Sequence, residues 1–197
     1  MMAVLLASTS AARCTILKAA GVEFETQSPV VDEEAAKTSL AVEGLNPRDM
    51  ADALAEMKAL KVSRRSGGLV IGADQTLDLD GALIDKAPTM LAARERLLVL
   101  RGRRHKLHSA VVVALDGVVI WRQVETATLT MRSFSDVFLD QYLAAEGDEV
   151  LRCVGCYRLE GQGAQLFERI DGDYFSILGL PLLGLLDLLR RYGALTP

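Results

Sequence analysis

The sequence predicts an α/β fold with a mixed sheet, and three observations carry that prediction. A short apolar run at residues 3–7 stops at Ser8-Thr9-Ser10, good helix N-caps, and a helical segment follows at once. Two aspartate–glycine pairs, Asp80-Gly81 and Asp116-Gly117, stand between β-rich stretches as tight hairpin turns do. Segments with apolar residues at helical spacing alternate with these strands, the pattern of helices packed on a sheet.

In chain order, the first strand leads into a helix over 11–20, with Ile16, Leu17 and Ala20 on one face and Gly21 at its end. Residues 23–31 read as extended, because Pro29 blocks helix, and they run into the acidic Asp32-Glu33-Glu34. Asn46-Pro47 is a cap followed by a first helical residue. The helix it opens reaches about residue 64, with Met50, Ala53, Leu54, Met57 and Leu60 as its apolar stripe. Ser66-Gly67-Gly68 turns the chain into a short buried strand, 69–71, ending at Gly72-Ala73-Asp74-Gln75. A hairpin of 76–79 with 82–84 follows, then a helix from the Thr89 cap to about residue 100. Residues 106–115 and 118–131 form the longer hairpin, and a helix over 135–145 stops at Gly147. The flexible Glu160-Gly161-Gln162-Gly163 precedes a strand at 164–170, and Gly179-Leu180-Pro181 opens the last helix. No repeat, low-complexity tract or linker interrupts the chain, so one domain over 1–197 is expected.

Composition narrows the function classes. Half the 197 residues are hydrophobic, 24% are charged and 5% aromatic, which excludes wholesale disorder. With 22 Lys and Arg against 26 Asp and Glu the net charge is −4, the wrong sign for a nucleic-acid binder. The longest apolar run, 177–186, holds Gly179, Pro181 and Gly184 and is about half of what a membrane span needs. The first seven residues lack a basic start and are too short an apolar stretch for a signal peptide. Cys14, Cys153 and Cys156 cannot close into disulfides as a set and fit a reducing, cytoplasmic setting. His105-x-x-His108 and Cys153-x-x-Cys156 match a zinc ligand count. The histidines, however, fall in a strand, where residues three apart face opposite ways. The cysteine pair also lacks the following helix of a redox site. The basic run 101–106 has no interleaved aromatics for base stacking and reads as a solvated turn or one edge of an anionic-ligand cleft.

Five positions could carry chemistry. Arg13 lies one turn into a helix whose N-terminus, after Ser8-Thr9-Ser10, offers free N–H groups and a positive dipole end to a phosphate. Asp74 ends a buried strand after a glycine, where ligands of open α/β sheets gather. Glu33 sits in an acidic cluster, Lys58 beside an apolar stripe, and Lys86 just past a hairpin strand. Each alone also fits a plainer role: a capped helix with a surface Arg, a turn-starting Asp, a solvated acidic cluster, snorkelling lysines.

Together the segments resemble the Maf family of nucleoside triphosphate pyrophosphatases over almost the whole chain. The matching stretches are Leu6-Ala7-Ser8-Thr9-Ser10-x-x-Arg13, Val31-Asp32-Glu33, Lys58-Ala59, Ile71-Gly72-Ala73-Asp74, Gly155-x-Tyr157, Glu160-Gly161 and Gly179-Leu180-Pro181-Leu182. The resemblance implies an elongated, twisted mixed sheet with flanking helices and two lobes around a nucleotide cleft, similar to inosine-triphosphate pyrophosphatase folds. It implies cleavage of a nucleoside triphosphate to the monophosphate and pyrophosphate, a house-cleaning reaction on non-standard or modified nucleotides, with Mg²⁺ or Mn²⁺. Asp74 matches the family's proton acceptor, and Glu33 is the second carboxylate to share the metal with it. Lys58 and Lys86 join this catalytic group, holding the triphosphate with Arg13, Ser8 and the helix N-terminus. Gln75 and Glu160 look like the branch acting on 7-methyl-GTP, Glu160 being chemically suited to the N1–H and amino edge of a guanine. Ala12 stands where a larger side chain is usual and is grouped with the substrate-binding residues. Related proteins are often homodimers, and no nucleic-acid or membrane partner is implied. The alternative function is a nucleotide-binding cell-division regulator with little turnover.

Overall fold

In a computed structural model, which describes residues 2–196, the chain is an α/β protein built on one mixed seven-stranded sheet. Strands β1 (Val4–Ala7), β2 (Glu25–Thr26), β3 (Leu69–Leu79), β5 (Arg104–Leu115), β6 (Val118–Met131) and β7 (Phe167–Asp171) lie in the order β2-β1-β3-β5-β6-β7, and β4 (Ala82–Ile84) pairs with β3. β1 is parallel to β2 and β3, and every other pairing is antiparallel. The helices are α1 (Ala11–Ala19), α2 (Glu33–Val42), α3 (Pro47–Ser63), α4 (Met90–Leu100), α5 (Asp136–Glu146), α6 (Tyr174–Ile177) and α7 (Leu182–Arg191). Among the described residues no helix is long and apolar enough to cross a membrane.

Both predicted aspartate–glycine turns close as primed hairpins, with φ of 54° and 88° at Asp80 and Gly81 and of 49° and 78° at Asp116 and Gly117. The predicted caps act as caps: Ser10, Asn46 and Thr89 each accept from the backbone N–H three residues on, and Ser135, read as the first residue of its helix, is the cap of one that starts at Asp136.

Four expectations need correction. The strand at 69–71 does not stop before Asp74, because β3 runs unbroken from Leu69 to Leu79 and absorbs the 76–79 hairpin strand. Its glycine and its alternation of polar side chains made one long strand look like two. The acidic cluster does not follow a strand in open solvent but opens α2: Asp32 caps it through the N–H of Ala35, and Glu33 and Glu34 fill its first turn. Met50 and Leu54 of the predicted α3 stripe are buried, but the rest of the buried face is Ala51, Ala55, Lys58, Ala59 and Val62, while Met57 faces out. Alanines occupy the closest face because α3 presses on β3 at Gly72. A Cβ there would stand 2.5 Å from the Ala59 nitrogen and 2.8 Å from its Cβ. Near the C-terminus, 162–166 is a 3₁₀ turn and the strand begins only at Phe167; a second 3₁₀ turn, Gly147–Arg152, follows α5.

β3 organises the site through its pairing. β5 runs along one of its edges from Val70 to Asp78. The other edge is shared: β1 pairs with residues 69–72 and β4 with 77–79. Residues 73–76 therefore face a notch between the end of β1 and the start of the β3–β4 hairpin. The odd side chains of β3 change core across this notch. Leu69, Ile71 and Ala73 belong to the apolar cluster with α1 and α7, whereas Leu77 and Leu79 belong to the one with α4 and α5. The even side chains, Gly72, Asp74 and Thr76, face α3.

Candidate active site

A cleft of about 740 Å³ opens at the notch. Strand pleating sends Asp74 towards α3, and helical spacing puts Lys58 on the buried face of α3. Lys58 Nζ donates to Asp74 Oδ1 at 2.6 Å and pairs with Glu33 Oε1 at 2.8 Å. One ammonium thus joins a carboxylate from the sheet to one from the first turn of α2. Lys58 and Asp74 are almost fully buried, and Glu33 is half-open to the cleft. Burial pushes the Glu33 carboxyl up, but the Lys58 hydrogen bond and the charges of Lys58, Lys86 and Lys37 outweigh it and hold the group below the usual range.

Arg13 enters from the other side. Its Nε donates to the Gly179 carbonyl at 2.8 Å and Nη1 to Ser8 Oγ at 3.4 Å, while Ser8 Oγ also accepts from the Ser10 N–H at 3.1 Å. Gly179, with φ of +99°, lies against the guanidinium, so the Gly179-Leu180-Pro181 segment serves to aim Arg13. Burial lowers the Arg13 pKa, and Asp74 and Glu33 oppose that shift.

The cleft brings together Ser8, Arg13, Glu33, Lys58, Asp74, Gln75, Lys86 and Glu160 from the sequence reading. Ala12 is not on its wall; the neighbouring Ala11 is, because the helical turn rotates Ala12 away. Gln75 lines the cleft, yet its amide nitrogen is committed to Ser109 Oγ at 2.8 Å and to the carbonyls of Ser176 and Ile177 at 3.1 and 2.9 Å. It ties α6 to the sheet between the two cores. The basic run 101–106 contributes nothing to the cleft wall: Arg101 pairs with Asp136 and Arg103 with Asp80. His105 faces Tyr157, with Nε2 2.8 Å from its hydroxyl, and His108 faces Thr126 and Asp78, so the two share no ligand. Burial pushes the Cys153 thiol up to about 11, far from a thiolate ligand or nucleophile.

Sequence reading missed Lys37 and Arg152, both on the cleft wall. Lys37 follows Glu33 by one helical turn and pairs with Asp85 across the mouth. The Asp32 cap with Glu33 and Glu34 behind it was the available signal for that helix. Five cationic side chains, Arg13, Lys37, Lys58, Lys86 and Arg152, thus face the cleft with three carboxylates, Glu33, Asp74 and Glu160. An anion with several charges suits this wall, although the whole chain carries −4.

The family profile described as Maf-like protein matches residues 3–192. The chain is 65% identical over 193 residues to the nucleoside triphosphate pyrophosphatase of Caulobacter vibrioides, covering 98% of this chain and 97% of that one. It is 52% identical over 196 residues to the nucleoside triphosphate pyrophosphatase of Granulibacter bethesdensis, covering 99% and 100%. It is 48% identical over 192 residues to the 7-methyl-GTP pyrophosphatase of Rhizobium meliloti, covering 97% and 96%. With these matches running almost end to end over the same notched sheet, the chain belongs to the Maf family.

Proposed function

We propose that this protein hydrolyses a nucleoside triphosphate between the α- and β-phosphates, releasing the monophosphate and pyrophosphate. The observation that carries this reading is the Glu33–Lys58–Asp74 bridge at the floor of a cleft with five cations on its wall. The names of the relatives point the same way. Arg13, Lys37, Lys86 and Arg152 bind the polyphosphate and offset its charge, and the N-terminus of α1 with Ser8 takes one phosphate end. Asp74 accepts the proton of the attacking water. Lys58 engages its Oδ1 and leaves Oδ2 for that task, and Lys58 steadies the negative charge as the bond to the leaving pyrophosphate breaks.

Glu33 and Asp74 would hold a divalent cation, Mg²⁺ or Mn²⁺. The donor set fits: both are hard oxygen ligands brought to one point by the same ammonium. Among the described residues no third His, Cys, Asp or Glu joins them, so Glu33 and Asp74 are the two side chains that would hold the ion. Bound there, the cation supplies charge neutralisation on the phosphates.

At the far wall Glu160, exposed in the cleft, reads the N1–H and amino edge of a guanine-type base. This favours a purine such as 7-methyl-GTP over pyrimidines. The test is pyrophosphate release from a panel of triphosphates with Mg²⁺ or Mn²⁺, in wild type and Asp74→Asn. Turnover in wild type with about a 10²–10⁴-fold loss in the variant is expected. Nucleotide binding without turnover of any panel member would refute hydrolysis and leave the regulatory reading.

A further inference from the structure

We infer that Glu146, at the C-terminal end of α5 and outside the cleft wall, sets the base preference of the enzyme by holding Arg158 and, through it, Glu160. The inference rests on the proposed role of Glu160 at the base and deepens it. Three charges form a chain from the protein body to the cleft. Glu146 Oε2 accepts from Arg158 Nη1 at 3.0 Å, and Arg158 Nε donates to Glu160 Oε1 at 3.3 Å. The Glu146 side chain is only 6% exposed, which is unusual for a carboxylate at a helix end and marks it as an anchor.

The loop is built around that anchor. Glu146 Oε1 accepts the Gln162 N–H at 2.8 Å, so the carboxylate spans both ends of the segment 158–162. Gly161 packs directly against this anchor: a Cβ there would lie 2.5 Å from Glu146 Oε1 and would push the carboxylate aside. The Gly161 N–H in turn closes on the Arg158 carbonyl at 3.2 Å, and a Cβ on Gly163 would strike that same carbonyl. Glu160 is thereby presented on a tight turn whose two anchors meet at one buried carboxylate.

The charges decide what Arg158 does. Between two carboxylates, one guanidinium is shared, and Glu160 keeps capacity to accept from a base. Without the charge of Glu146, Arg158 has one carboxylate left and closes on Glu160 as a bidentate pair, the stronger geometry. Glu160 is then withdrawn from the base, while the phosphate-binding wall, on other elements, is untouched. Glu146 is accordingly a positioning residue, and its loss is read in substrate preference and KM.

The experiment measures kcat and KM for 7-methyl-GTP and for a pyrimidine triphosphate in wild type, Glu146→Gln, Arg158→Gln, the double variant and Glu160→Gln. Glu146→Gln should lower the purine-to-pyrimidine ratio of kcat/KM by about tenfold, the scale of one charge-assisted hydrogen bond, with the loss in KM for the purine. In the Arg158→Gln background, Glu146→Gln should change the ratio no further. Arg158→Gln alone, at a partly exposed side chain, frees Glu160 and should keep the ratio at or above the wild-type value, so it tests the link even if Glu146→Gln folds poorly; a fall of about tenfold in that variant overturns the inference. Equal losses for both substrates, or additive effects of the two variants on the ratio, overturn the inference. A shifted ratio in Glu160→Gln with none in Glu146→Gln overturns it while sparing the reading of Glu160. No shift in Glu160→Gln removes the base-reading role and this inference with it.

Discussion

Replacing Lys58 by Met keeps the length of the side chain and deletes the charge that Asp74 and Glu33 share. Asp74 and Lys58 have side-chain exposures of 8% and 6%, so water cannot take over the lost contact. Removing one partner of a buried pair costs about 3–5 kcal/mol. The Glu33 side is 43% exposed and adds little to that figure. Arg13, which also feels Asp74, offsets part of it, so a loss near 3 kcal/mol at pH 7.5 is expected. For a chain of this length that is roughly a 10 °C drop in Tm. The pH dependence is the sharper consequence. In wild type, the depressed Glu33 carboxyl contributes stability above its unfolded pKa, and this is lost as pH falls through the folded value. In Lys58→Met the facing carboxylates repel, and one of them takes a proton at higher pH, so the variant gains relative stability on acidification. Urea unfolding at pH 7.5 and pH 5 measures both curves. The deficit should shrink at pH 5; an equal deficit at both values, or one below about 1 kcal/mol at pH 7.5, would show that the bridge is not a coupled buried pair.

Two further predictions concern the frame around the site. Gly72→Ala drives a Cβ into the α3 backbone, so a stability loss of about 3 kcal/mol and a parallel fall in turnover are expected, because α3 carries Lys58 away from Asp74. Wild-type stability with full turnover in that variant would contradict the close approach. His105, whose pKa burial lowers to about 4, binds its proton more readily when unfolded. It should therefore remove about 3 kcal/mol of stability as pH falls from 6.5 to 4, a slope that a His105→Phe variant lacks in the same urea titrations.

The sequence was most readable where local chemistry alone decides structure. Asp80-Gly81 and Asp116-Gly117 specify their turns through φ, and Ser10, Asn46 and Thr89 specify helix starts through one hydrogen bond each. Reading failed where distant partners decide. The continuity of β3 through Asp74 is imposed by β5, which pairs with it from Val70 to Asp78, and no feature within 69–79 announces that. The alanine face of α3 is set by a glycine on another strand, so hydrophobicity pointed to Met57 instead.

The failure at β3 also explains the site. Asp74 is not at the end of its own strand but beside the end of its neighbour, β1, which pairs no further than Gly72. The rule that ligands gather beyond the carboxyl ends of strands therefore holds here for β1 rather than for β3. That difference has a mechanical meaning. A side chain at a strand end sits on a joint with a loop, whereas Asp74 is held by the β5 ladder on one edge and by Lys58 above it. Glu33, by contrast, stands on α2, none of whose residues is buried, and reaches the site through the same lysine. The bridge thus couples a fixed carboxylate to one on a lightly packed helix. If the bound polyphosphate draws Lys58 towards itself, α2 is the element free to follow, and proton exchange of its amides with and without nucleotide would record that movement while β3 stayed protected.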